Sequence, residues 1–326
     1  MTTEWRSVTD RFQTFIGNLQ PSAEEVRRIA SAASVLAARL NSRLRPAGTV
    51  HRSRANGHKS WPVDDFLLIG GHAKGTAIHP ARVADMLYVM PDELRPRDAG
   101  GSASLLGVMA AALPSRVAAQ EAPEGGWLWI RCPDAAAIRL APCFRTGGDK
   151  LLVARPETHG GWLVTDPVSE TARLHDADLA SGGKATHLLM MLKSWRRHTG
   201  APISSFELEL LVCEFTRTWI YPRRSLLFYD WMIRDFFFWL AHQTGREILT
   251  PGGLEPLRLG HAWADAAEAA FACAQSACVR ERENADEKAL GEWQAIFGPA
   301  FSGETQVIPA SAVARLGGPV ATQAGI

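Results

Sequence analysis

Apolar positions along the chain follow two periods, and the change of period divides it. Pro21 and Ser22 followed by Glu25 form a capping-box pattern, after which apolar residues recur at Val26, Ile29, Ala30, Ala33, Leu36, Ala37 and Leu40. Spacings of three and four predict one amphipathic helix over 22–44, with Ser22 as its cap. Two apolar runs, 66–69 and 86–90, then flank Gly70-Gly71, and Pro91 stops the second. The simplest parse is strand, glycine turn, strand.

Residues 103–120 read as an alanine-rich helix. Strands are expected at 127–131, 137–141, 151–155 and 162–165, the last two set off by Gly147-Gly148 and Gly160-Gly161. Strands mixed with helices through short turns predict an α/β or α+β lobe. From His187 onward the strand signals stop, and 188–193, 204–219, 225–243 and 262–284 carry helical spacing. The expected organisation is a strand-bearing core over 1–186 that includes the long N-terminal helix, a helical lobe over 187–300, and a loose glycine-, alanine- and proline-rich tail over 301–326.

Composition narrows the function classes. Of 326 residues, 46% are hydrophobic and 21% charged, enough to bury a core and too apolar for a disordered chain. The balance of 35 Lys and Arg against 34 Asp and Glu excludes a surface coated by nucleic acid, though not a local basic cleft. Nucleic acid is therefore a possible but not a favoured partner. One basic stretch, from Arg43 through His51, Arg52, Arg54, His58 and Lys59, is either a solvated loop or a wall of an anion cleft. No apolar run reaches the ~20 residues that span a bilayer, so no membrane association is expected.

The opening residues, MTTEWRSVTD, do not resemble a signal peptide. Five cysteines without a CxxC pair indicate free thiols and a cytoplasmic location. His72, His79 and His187 make no metal spacing. Eleven tryptophans against three tyrosines suggest packing anchors.

Candidate chemistry lies in 70–90. The turn Gly70-Gly71 opens Gly70-Gly71-His72-Ala73-Lys74-Gly75-Thr76, and exposed amides at such a turn make an anion nest. About ten residues later an acid, Asp85, heads an apolar run. The pattern resembles the nucleotidyltransferase signature G-[GS]-x-x-x-G-T followed by D-x-D on a strand. Further segments match: 138–144 (Ile138 to Phe144), 161–167 (Gly161 to Pro167), 192–195 (Leu192 to Trp195), 204–209 (Ser204 to Glu209), 229–237 (Tyr229 to Phe237) and Glu292-Trp293-Gln294. Together they are similar to the bacterial cGAS/DncV-like nucleotidyltransferases (the CD-NTase or SMODS group).

That resemblance implies a Pol β-like core with a mixed sheet, plus a helical C-terminal lobe as in oligoadenylate synthase and cGAS. It also implies synthesis of cyclic oligonucleotides from nucleoside triphosphates in anti-phage defence, with three carboxylates holding two Mg²⁺ ions. Here the three acid positions fall on Val83, Asp85 and Arg139. Valine has no ligand atom and a guanidinium has no acceptor, so the formal charge of the three falls from −3 to zero. Asp85 is the one candidate metal ligand, and Mg²⁺ is expected only if activity is retained. Asp64, Asp65 and Asp134 are the nearest alternative acids.

The resemblance assigns nucleotide contacts to Gly70, Gly71, Lys193, Ser205 and Phe206. Arg139 is expected to take the metal's place against phosphate. Three readings remain open: a degenerate member that binds a nucleotide or cyclic nucleotide, with a partner protein from a defence operon; an active synthase; or a scaffold with a vestigial pocket.

Overall fold

The computed structural model describes residues 3–45, 65–96, 102–113, 119–121, 125–132, 137–155, 161–219 and 228–302. His51, Arg52, Arg54, His58, Lys59, Asp64, Asp134 and all but the first two residues of the expected tail lie outside these.

The capping box forms as the sequence predicts. Ser22 Oγ accepts the Glu25 amide at 3.1 Å, and Glu25 Oε2 accepts the Ser22 amide at 2.8 Å. Helix α2 (Ala23–Leu44) then buries Ile29, Ala33, Leu36, Ala37 and Leu40. A helix not expected from the sequence precedes it, α1 (Thr3–Leu19). Its buried residues Phe12, Phe15, Ile16 and Leu19 show the same spacing of three and four.

The sheet is mixed. Strand β1 (Phe66–Ile69) leads through the short helix α3 (Gly70–Ala73) into β2 (Val83–Val89), which pairs antiparallel with β1. Helix α4 (Ser102–Ala112) ends eight residues earlier than the predicted Gln120, and 119–121 form a strand, β3 (Ala119–Glu121). The cause is Pro114, which lacks an amide and disfavours helical geometry in the residue before it. Strand β4 (Leu128–Arg131) and the long β5 (Ala137–Arg145) follow, then β6 (Leu151–Ala154) and β7 (Trp162–Thr165). The described strands run β1-β2-β5-β4-β3, with β6 beside the second half of β5 and β7 outside β6. Among the described strands, only β2 and β5 pair in parallel.

Helices α5 (Pro167–Ser181), α6 (Lys184–Thr199), α7 (Ser205–Thr218), α8 (Tyr229–Ala241), α9 (Ala264–Arg282) and α10 (Asp286–Phe297) build the second lobe. It is not wholly helical: β8 (Glu247–Ile248) and β9 (Leu257–Arg258) make a two-residue ladder.

Packing cuts across the boundary expected at 186. One core joins α2 and α4 to a sheet face through Leu36, Leu40, Met86, Tyr88, Leu106 and Ile138. The other joins residues of α1 and α5 to α6–α10. Phe12 meets Trp293 edge-on at 5.1 Å, and Phe301, expected in the tail, is fully buried against Phe12 and Phe15.

Candidate functional site

Strand alternation sets which side chains reach the site. On β2, Ala84, Met86 and Tyr88 point into the core beneath α2 and α4. Val83 and Asp85 therefore face the opposite side, where Leu87 and Val89 enter a small cluster with Trp127, Ala141 and Cys143. The parallel register places Asp85 beside Arg139 and Val83 beside Ala137. The three predicted positions Val83, Asp85 and Arg139 thus converge on one sheet face.

Arg139 Nε donates to Asp85 Oδ1 at 2.6 Å, with both side chains 29% exposed. The guanidinium carbon also lies 5.2 Å from the centre of the Trp127 ring, and Arg155 approaches the same ring at 4.3 Å. These contacts orient Arg139 across the site.

This set does not fit a pair of Mg²⁺ ions. Asp85 is the one carboxylate of the three, and a guanidinium is already bonded to it. Asp65 cannot substitute. It is buried, forms an ion pair with Arg45 at 3.2 Å, and its carbonyl accepts the Val89 amide at 2.8 Å. That is the other end of β2, about 13 Å from Asp85 at the usual strand rise. Among the described residues, the one group of three potential metal ligands is elsewhere, in the helical lobe.

The glycine turn lies directly beside the acid. Gly70 adopts φ +63°, and a Cβ there would sit 3.4 Å from Asp85 Oδ2. At Gly71 a Cβ would lie 3.2 Å from both the Ala77 amide and the Lys193 ammonium, so glycine lets the lysine approach the turn. Lys193, on α6, donates to the carbonyl of Thr76 at 3.0 Å and to its hydroxyl at 2.8 Å. Burial lowers its pKa to about 8, and Lys74 adds to this while Glu209 and Asp85 oppose it. His72, kept below its usual pKa by burial, bonds to the Val83 carbonyl at 3.1 Å.

Lys74 leaves the same turn for the helical lobe, where it meets Glu170 of α5 at 2.8 Å and Glu209 of α7 at 2.6 Å. Burial works against its charge, but the two carboxylates outweigh it and raise the pKa. Its ammonium also stands 5.8 Å from the centre of the Phe206 ring. Phe206 is half-buried against the helical core. Ser205 is the first residue of α7, whose cap is Ser204, with the Glu207 amide donating to it at 3.1 Å. The structure thus joins Gly70, Gly71, Asp85, Arg139 and Lys193, and brings the first turns of α7 to them through Lys74. Sequence reasoning missed Thr76, Lys74 and Trp127 as parts of this site. The first two lie inside the recognised motif, while Trp127 carries no signal of its own.

A mixed sheet with a glycine turn and a paired strand acid, backed by a helical lobe, defines the Pol β-like nucleotidyltransferase class. The family profile of the Second Messenger Oligonucleotide or Dinucleotide Synthetase domain matches residues 7–178, and the chain belongs to that family. It is similar in fold to E. coli MS115-1 CdnC bound to ATP, at 16% identity and TM-score 0.67, covering 90% of this chain and 98% of that one. It is also similar to Vibrio cholerae DncV cyclic AMP-GMP synthase with a linear intermediate, at 16% identity and TM-score 0.65, covering 88% and 93%. The Capnocytophaga granulosa CdnE c-di-GMP synthase follows at 10% identity and TM-score 0.53, covering 84% and 82%. No curated protein sequence matches the chain. Among the described residues, no helix is long and apolar enough to cross a membrane.

Proposed function

We propose that this chain is a catalytically degenerate member of its family, which binds a nucleotide or cyclic nucleotide between sheet and helical lobe as a sensor or regulatory subunit. The carrying observation is the bond from Arg139 to Asp85, which puts a fixed positive charge where two divalent ions would stand. Gly70 and Gly71 offer backbone amides to phosphate, Lys193 and Arg139 neutralise it, and Ser205 and Phe206 close the far side around the base. Binding needs no metal, because the guanidinium supplies the positive charge.

Support for a nucleotide ligand comes from CdnC, whose solved structure holds ATP. A further CdnC structure is a complex with a HORMA protein, and a partner of that kind is the second expected component. The test is incubation of the full chain with radiolabelled nucleoside triphosphates, Mg²⁺ and Mn²⁺. No labelled cyclic or linear product is expected from the wild type. Product that persists in wild type but vanishes in Asp85→Asn contradicts the reading and makes the chain an active synthase.

A further inference from the structure

The helical lobe holds a second cluster of chemically active groups, which the nucleotide site does not use. Asp230 stands in the first turn of α8; Cys278 and Glu281 stand one turn apart on α9 and so share a face. One ligand atom from each lies within 4.8 Å of the others. Asp230 is 4% exposed and Glu281 9%, yet Asp230 Oδ1 and Glu281 Oε2 have no hydrogen-bond partner. Two buried carboxylates that each leave an oxygen unpartnered, grouped with a buried sulfur, are costly unless something positive joins them.

The neighbouring cations Arg11 and Arg234 make no hydrogen bond to the two free carboxylate oxygens, although Arg11 Nη1 is itself buried without a partner. Arg11 bonds to Asp286 at 3.2 Å and Arg234 to Asp235 at 2.7 Å; both influence the cluster only at a distance, and Asp235 and Asp286 add further negative charge. The other oxygen of Glu281 is fixed, accepting the Trp293 indole N–H at 2.8 Å, which orients the carboxylate. A surface cleft of about 330 Å³, lined in part by Arg234, Asp235, Phe271, Gln275, Cys278 and Arg282, lies on the Cys278 side of the cluster.

We propose that Asp230, Cys278 and Glu281 bind a divalent cation of the zinc class and thereby clamp α8 to α9. One soft sulfur with two hard oxygens suits Zn²⁺ better than Mg²⁺ or Ca²⁺, which take oxygen alone. Three protein ligands leave a fourth position for water from the cleft. Binding converts the thiol to thiolate and releases its proton to solvent.

The test uses the full chain stripped with EDTA and titrated with Co²⁺, then Zn²⁺. One equivalent of Co²⁺ is expected to give a thiolate-to-metal charge-transfer band that Zn²⁺ abolishes. Cys278→Ser is expected to remove the band. The near-isosteric Asp230→Asn/Glu281→Gln variant keeps the thiol and guards against misfolding of the first. It is expected to weaken Zn²⁺ by at least about tenfold, the loss that even outer-sphere changes produce. Absence of the band in wild type overturns the site, as does its survival in Cys278→Ser or unchanged affinity in the double variant. A thermal midpoint that ignores Zn²⁺ overturns it too. None of these readouts depends on nucleotide binding.

Discussion

At the head of β2, alternate side chains enter two environments, and this decides what Asp85 does. Facing away from the α2–α4 core, it meets Arg139 across a parallel pair, and the two neutralise each other. Replacing Asp85 by Asn frees the guanidinium for phosphate, so nucleotide affinity in EDTA is expected to rise, read by calorimetry. A fall would mean that Asp85 holds Arg139 in its binding position. Lys193 has a pH signature. With its pKa held near 8 in the free protein, its charge is present below that value and lost above it. Affinity for a triphosphate is therefore expected to fall between pH 7 and 9, and Lys193→Met is expected to flatten that profile. Most residues of this site were legible in the sequence, because the glycine turn and the strand acid keep a fixed spacing. The partners of Lys74 were not, since Glu170 and Glu209 stand 96 and 135 residues away and only the fold brings them together.

Among the elements, α2 was the most legible, because cap, acid and apolar stripe all agree. Glu25 does more than cap. Its carboxylate also accepts the Ala81 amide at 2.9 Å and meets His79 Nδ1 at 2.9 Å, tying the end of the glycine-motif loop to α2. Burial works to raise its pKa, but the hydrogen bonds from His79, Ser22 and Ala81 outweigh it and hold the group down to about 2. A depressed carboxylate stabilises the fold above its unfolded pKa and stops doing so as pH falls from about 4.5 to about 2. Glu25→Gln is expected to remove that part of the acid sensitivity in denaturation curves, and an unchanged curve would count against the tether. Ser22→Ala is expected to cost about 1 kcal/mol, measured by urea unfolding. The overlong α4 came from reading alanine content across Pro114, where backbone geometry overrides propensity. The missed α1 had its signal in Phe12, Phe15, Ile16 and Leu19, but those apolar residues find their partners on α10 and at Phe301, the far end of the described chain.

At the scale of the molecule, the two lobes are joined across the candidate site by lysines from both sides. Lys193 reaches from α6 to Thr76, and Lys74 reaches from the glycine motif to α5 and α7. Lys74 is 3% exposed and its partners 15% and 7%, so its removal strands two carboxylates away from water. Lys74→Met is expected to cost about 3 kcal/mol or more, seen as a lowered denaturation midpoint. A cost near zero would mean that water reaches the pair. The broad division into a strand-bearing half and a helical half was readable from the change of hydrophobic period. The allegiance of α1 and α5 to the helical core was not, because periodicity reports that a face is buried and not what covers it. Overall charge was equally silent, since the change of charge that the family resemblance implies is local to Val83 and Arg139. We propose that nucleotide is held through Arg139 without a metal, and calorimetry of ATP and GTP in EDTA reads that binding. Saturable heat is expected in the wild type, with affinity reduced about tenfold or more in Arg139→Ala, the worth of a charged hydrogen bond. No heat with either nucleotide, or an affinity untouched by Arg139→Ala, would contradict it.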